Sequence, residues 1–166
     1  KAISIKDNII ITAKKFKYIK NSNFISAKEN VLIEDRINKY NLSSDYIEYL
    51  VNEGKINSQG NSKLLNLNNK SRITSEILKY DISNNTINAI NNVILVNEEK
   101  NYKIYSDEVT YFKNIQKFVT KGKTSAEIKS KYKINSSNVT FLQKSMELSS
   151  NDKTSIKDEY NFYNTS

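Results

Sequence analysis

An all-β fold of two stacked antiparallel sheets is predicted by three features of the 166-residue chain: a repeat of about 31 residues, apolar alternation with period two inside it, and a short polar joint at each half-repeat. The repeat is clearest from Tyr102 to Tyr111 (YKIYSDEVTY). Aligned on Ser106, the copies place Ala13, Ser44, Ser75, Ser106 and Ser136 at spacings of 31, 31, 31 and 30 residues. Each has an apolar residue two positions earlier (Ile11, Leu42, Ile73, Ile104, Ile134). Two more follow at three and five positions: Phe16 and Tyr18, Ile47 and Tyr49, Leu78 and Tyr80, Val109 and Tyr111, Val139 and Phe141.

Between these copies runs a second line: Phe24 to Ile33 (FISAKENVLI), Lys55 to Leu64, Thr86 to Leu95 and Lys117 to Ala126. Glu29, Gly60, Asn91 and Gly122 are its equivalent positions, with Ile25, Ile56, Ile87 and Phe118 four residues before them. In the first copy Ile25, Ala27, Val31 and Ile33 point one way and Ser26, Lys28, Asn30 and Leu32 the other, which is strand periodicity. The runs are rich in Ile, Val, Tyr and Thr and lack three-four spacing, which argues against helical repeats.

Turn residues separate the runs: Asn21-Ser22-Asn23, Asn52-Glu53-Gly54, Asn68-Asn69, Ser83-Asn84-Asn85 and Glu98-Glu99. Joints this short connect antiparallel neighbours, because a parallel return needs about a dozen residues. A run of about 13 residues exceeds the usual strand length, so the strands are expected to bend. The apolar parity switches between Leu42 and Ile47 and between Ile104 and Val109. A bulge or corner is therefore expected at Ser44, Ser75, Ser106 and Ser136, carrying each strand from one sheet to the second with its apolar side inward. One domain, residues 1–150, is expected. The polar segment 151–166 reads as a frayed end or a cut within a longer protein, leading to a region outside this sequence.

Composition narrows the chemistry. With no His and no Cys, His-based triads, thiolate nucleophiles, disulfides and the usual zinc sites are excluded; no enzymatic activity and no cofactor are expected. No apolar run approaches the roughly 18 residues of a membrane-spanning helix, and the start lacks the apolar core of a signal peptide. The absence of an initiating Met suggests a processed chain or a fragment. The net charge of +8 comes from lysines scattered among Asp, Glu and Asn, so a nucleic-acid partner is not expected. Asp45, Glu76 and Asp107 stack at successive corners. They read as solvated corner residues over a calcium ladder, because the next copy has Ser137 and no ligand-rich glycine loop. The aromatic column Tyr18, Tyr49, Tyr80, Tyr111 and Phe141 reads either as core or as the wall of an apolar trough between two sheets splayed like a V. Such a trough suits acyl chains, each buried CH₂ contributing about 0.8 kcal/mol.

The lines FISAKENVLI and TINAINNVIL resemble the "small residue, x, Gly-Asn-Val" line of the lipopolysaccharide-transport family, the organic-solvent-tolerance (OstA) or LptA-like domain. YNLSSDYIEY and YKIYSDEVTY resemble its "apolar, x, Ala/Ser-Asp, x, apolar, x, Tyr" line. The resemblance covers about Ile9 to Leu148; it departs at Glu29 and Asn91, where the family has Gly, and at Ser62, where Val is usual. It implies a V-shaped β-jellyroll whose groove carries lipopolysaccharide acyl chains across the periplasm of a Gram-negative bacterium toward outer-membrane assembly, with no bond made or broken. It also implies end-to-end joining of LptA-like domains by edge-strand addition.

Two members of the family are compared, the soluble bridge LptA and the periplasmic N-terminal domain of the outer-membrane translocon LptD. The segment from Thr120 to Asp158 is similar to the stretch before the LptD barrel, which favours LptD; the barrel and its LptE plug would then lie outside this sequence. The groove residues implied are Phe16, Tyr18, Ile25, Ile33, Leu42, Ile47, Tyr49, Ile56, Ile73, Leu78, Tyr80, Ile87, Val93, Ile104, Val109, Tyr111, Phe118, Val139 and Phe141. Rim lysines are expected to meet headgroup phosphates, without any one being singled out. A closed β-solenoid spacer, with every inward residue packed, is the structural alternative.

Overall fold

In the computed structural model, which describes residues 1–4 and 8–164, the alternating runs become strands and the polar joints become turns. The strands are β1 (Ala2–Ser4), β2 (Ile9–Thr12), β3 (Lys15–Ile19), β4 (Phe24–Asp35), β5 (Tyr40–Leu50), β6 (Lys55–Asn66), β7 (Ser71–Asp81), β8 (Thr86–Asn97), β9 (Tyr102–Phe112), β10 (Lys117–Ile128), β11 (Tyr132–Ser137), β12 (Thr140–Leu142), β13 (Glu147–Ser149), β14 (Ser155–Lys157) and β15 (Phe162–Asn164). Among the described residues, antiparallel pairing joins them into a 15-stranded sheet in the order β1-β2-β4-β5-β6-β7-β8-β9-β10-β11-β14-β15. Off this path β3 pairs with β4, β12 with β10 and β13 with β12.

The two stacked sheets expected from the sequence are two layers of this one sheet. Each long strand from β4 to β10 runs through both. Layer A takes residues 31–35 of β4 paired with 40–44 of β5; layer B takes 24–28 paired with 46–50, and the division repeats along the array. The layers face each other: the rings of Tyr40 in layer A and Tyr80 in layer B are 5.9 Å apart, those of Tyr102 and Phe141 5.0 Å.

The bend is built differently from the expectation. Inward parity does switch on β5, where Ser44 and Ile47 are both buried. The extra residue, however, sits on the neighbouring strand. Lys28 pairs with Tyr46 and Val31 with Ser44, so Glu29 and Asn30 together oppose Asp45. The same two-against-one arrangement sets Gly60 and Asn61 on β6 and Asn91 and Asn92 on β8 against Glu76, and Gly122 and Lys123 on β10 against Asp107. Both residues of the first three pairs, and Gly122 in the fourth, have positive φ, for example +66° at Glu29 and +65° at Asn91, the conformation Gly and Asn adopt most readily. On this line the interval from Ala27 to Val31 is even, so the inserted residue leaves the apolar alternation undisturbed.

The repeated Ser and Asp have separate tasks at the bend. Ser44, Ser75 and Ser106 are buried, and each donates its Oγ hydrogen to the carbonyl two residues on, at 3.0, 2.8 and 3.2 Å. They supply donors where the ladder is interrupted. Outside the bend, Asp45 accepts from Asn61 Nδ2 at 2.8 Å, Glu76 from Asn91 and Asn92 at 3.2 and 2.6 Å, and Asp107 from the Lys123 backbone N–H at 3.1 Å. A Cβ on Gly60 would stand 2.5 Å from Asp45 Oδ2. The carboxylate thus covers a position that the chain keeps free of a side chain.

At the end of the chain, part of the segment expected to be a polar tail is sheet. Ile156 of β14 pairs with Ile134 of β11 and with Tyr163 of β15. These strands are three residues long, too short for alternation to register in the sequence. Thr165 and Ser166 lie outside the described residues.

Candidate functional site: the interior between the layers

Each long strand sends its inward residues into one space, because period-two alternation on both sides of the bend is phased to the same face. Of the groove residues named from the resemblance, all but Phe16 and Tyr18 are buried there, including Ile47, Leu78, Ile87 and Phe141 at 0% exposure. Phe118 stacks on Tyr111 with ring centres 4.2 Å apart and lies 6.2 Å from Phe141. From Tyr49 to Phe141 the aromatic column is therefore part of a packed interior. Phe16 and Tyr18 face the same way, being paired with Ala27 and Ile25, yet are 38% and 57% exposed. At this N-terminal mouth the interior opens to solvent as a pocket of about 500 Å³ lined by Ala2, Ile3, Phe16, Tyr18, Ile25 and Val51 among others. At the other end Leu148, opposite Phe141, and Ile156, opposite Ile134, are only partly buried.

The sequence reading missed the groups that bridge the side away from the bend. Asp35 closes β4 in layer A, is 3% exposed, and receives the Tyr80 hydroxyl of layer B at 2.7 Å. Lys113, in the turn after β9, donates to Tyr80 Oη and to Asn38 Oδ1, both at 3.0 Å, and lies 4.8 and 4.9 Å from the ring centres of Tyr40 and Tyr80. Further along, Lys100 Nζ donates to the Gln143 carbonyl at 2.6 Å. The arms of the V are thus joined across their open side by a row of polar contacts. Burial pushes the Tyr80 phenol far above its ordinary range, and the charge and hydrogen bond of Asp35 add to the shift. Burial alone also lifts Tyr111, and it pulls the Lys113 ammonium below the usual lysine value against the opposing effect of Asp35. Sequence could mark Asp35 only as a charge at an inward position, since Tyr80 and Lys113 come from other repeats.

The arrangement is a mainly apolar interior with a polar rim, open to solvent at its N-terminal mouth. The outermost strands β1, β3, β13 and β15 each pair with one neighbour. Among the described residues no group of three or more His, Cys, Asp or Glu is gathered to hold a metal ion.

No protein-family model matches the sequence, and no curated protein matches it. Structure gives a different result. The chain superposes on "LptH, the LptA homologous periplasmic component of the conserved lipopolysaccharide transport device from Pseudomonas aeruginosa" with a TM-score of 0.63 at 10% identity, covering 70% of this chain and 84% of that one. The fold is an LptA-like β-jellyroll. Within the LptA-like frame the bulged line is the run FISAKENVLI with its copies, and the Ser-Asp line is the partner strand that covers each bulge.

Proposed function

We propose that this chain shelters lipopolysaccharide acyl chains between its two layers on their way across the periplasm to the outer membrane. The observation that carries this is the inward face, mainly apolar with buried Ser58, Ser62, Thr120 and Thr124 set into it, that runs from Phe16 at the N-terminal mouth to Phe141 and Leu148 at the other end of an LptA-like fold. Joining to LptA-like domains uses the single-neighbour strands at each end, whose free N–H and C=O groups accept a further strand. The finer assignment, an LptD N-terminal domain followed by a barrel plugged by LptE, is supported by the sequence from Thr120 to Asp158; the soluble bridge LptA is the alternative. The full-length protein co-fractionates with outer membranes under the first and with soluble periplasm under the second.

One observation favours a closed spacer instead: Ile47, Leu78, Ile87 and Phe141 are wholly packed. Photo-crosslinking separates the two readings. A benzophenone side chain at Tyr18 or Tyr111, irradiated with lipopolysaccharide, is expected to give a lipid adduct that the outward neighbours Lys17 and Thr110 do not. Equal or absent labelling at inward and outward positions supports the spacer and removes the conduit.

A further inference from the structure

The bridge across the open side divides by layer. On layer A, Asp35 and Asn38 are tied to one another: the Asn38 backbone N–H and Nδ2 donate to the two carboxylate oxygens at 2.8 and 2.9 Å. On layer B, Tyr80 and Lys113 are tied through the 3.0 Å bond from Nζ to the phenol oxygen. Between the layers stand the Tyr80–Asp35 and Lys113–Asn38 bonds and the stacking of Lys113 over Tyr40. Within this group, parting the layers breaks this last set and the Tyr40–Tyr80 ring contact, and leaves the ties inside each layer intact. It leaves on layer B a phenol O–H and an ammonium side by side, both able to donate, at the edge of an apolar space. Such a pair is complementary to an anionic oxygen.

In the closed molecule that place is taken from within, by the Asp35 carboxylate on the phenol and the Asn38 amide oxygen on the ammonium. Lys113 is poorly compensated there. It is withdrawn from water by burial, donates to a phenol and an amide, and lies over two aromatic faces; none of the ion pairs among the described residues includes it. An ammonium so placed gains more from a phosphate than from a neutral acceptor.

We propose that Tyr80 and Lys113 form a recognition site for the anionic group of an amphiphile, and that Asp35 with Asn38 is its built-in surrogate ligand. A phosphate carried next to an acyl chain displaces the surrogate as the chain enters the interior. This rests on the acyl-chain reading above and names which chains are admitted: those bearing an adjacent anion.

The test compares dodecyl phosphate and dodecyl maltoside, identical chains with charged and uncharged heads, at submicellar concentration by calorimetry. The full chain is expected to prefer the phosphate by about tenfold, the scale of one charge-assisted hydrogen bond. Lys113→Met is expected to lose that preference while binding the maltoside as before, and Lys113→Arg to retain it. Asp35→Asn, which keeps the acceptor and removes the charge, is expected to raise affinity for the phosphate more than for the maltoside. An unchanged preference in Lys113→Met overturns the recognition site and leaves the conduit standing. Absence of binding by either probe to the native chain and to Asp35→Asn overturns both.

Discussion

A buried serine at each bend is the residue on which strand continuity depends. Ser75 is 7% exposed and donates to the Ile77 carbonyl at 2.8 Å. Ser75→Ala leaves that part-buried acceptor without its donor, and a loss of about 1 kcal/mol is expected in urea denaturation. Ser22→Ala, which removes a 3.4 Å contact on the surface, is expected to stay within about 0.5 kcal/mol. Equal effects would remove the hydroxyl's role in the bend. The serine was legible in the sequence only as a small residue in phase; its task was not, because a hydrogen bond to the residue two positions on leaves no periodic mark. The αL pairs were legible in a different way. Gly60-Asn61 and Asn91-Asn92 are residue types that adopt positive φ, but the even interval between inward neighbours hid the bulge that uses them.

At the scale of elements, the long strands were readable because each repeats the same inward phase every 31 residues, and a strand buried on one face tolerates no slip. The last strands were not readable, being three residues each in a Ser- and Lys-rich stretch. They nevertheless complete a face. Ile156 packs against the core beside Ile134, Thr154 shares a 2.7 Å hydroxyl contact with Ser136, and Asn138 donates to Asp152 at 2.8 Å. Truncation after Ser150 removes all three. A loss of about 2 kcal/mol is expected from the apolar and hydrogen-bonding contributions together, with a single cooperative melting transition retained. A truncated chain as stable as the full one would show that β14 and β15 are not integral to the sheet.

For the whole molecule, the buried tyrosines make stability depend on alkaline pH. Burial raises Tyr40, Tyr80, Tyr102 and Tyr111 above the ordinary phenol range. The folded state therefore favours the neutral phenols. Their contribution is fully present below the unfolded value of about 10 and is lost as pH rises beyond it. Tyrosinate absorbance and circular dichroism, followed together in an alkaline titration, are expected to change in one concerted step above about pH 10. Smooth ionisation of all tyrosines with an intact dichroism spectrum would contradict the closed interior. These four side chains come from β5, β7 and β9 and meet across layers that the sequence orders but does not superpose, so the rim they share became visible only in three dimensions. The repeat has one more consequence. Each 31-residue unit contributes two neighbouring strands to both layers, so duplicating a unit adds about 10 Å to the array and, through sheet twist, turns one end against the other by roughly 45°. Reach and angular phase are therefore geared together: lengthening the span by whole units also re-aims the edge presented to the next molecule.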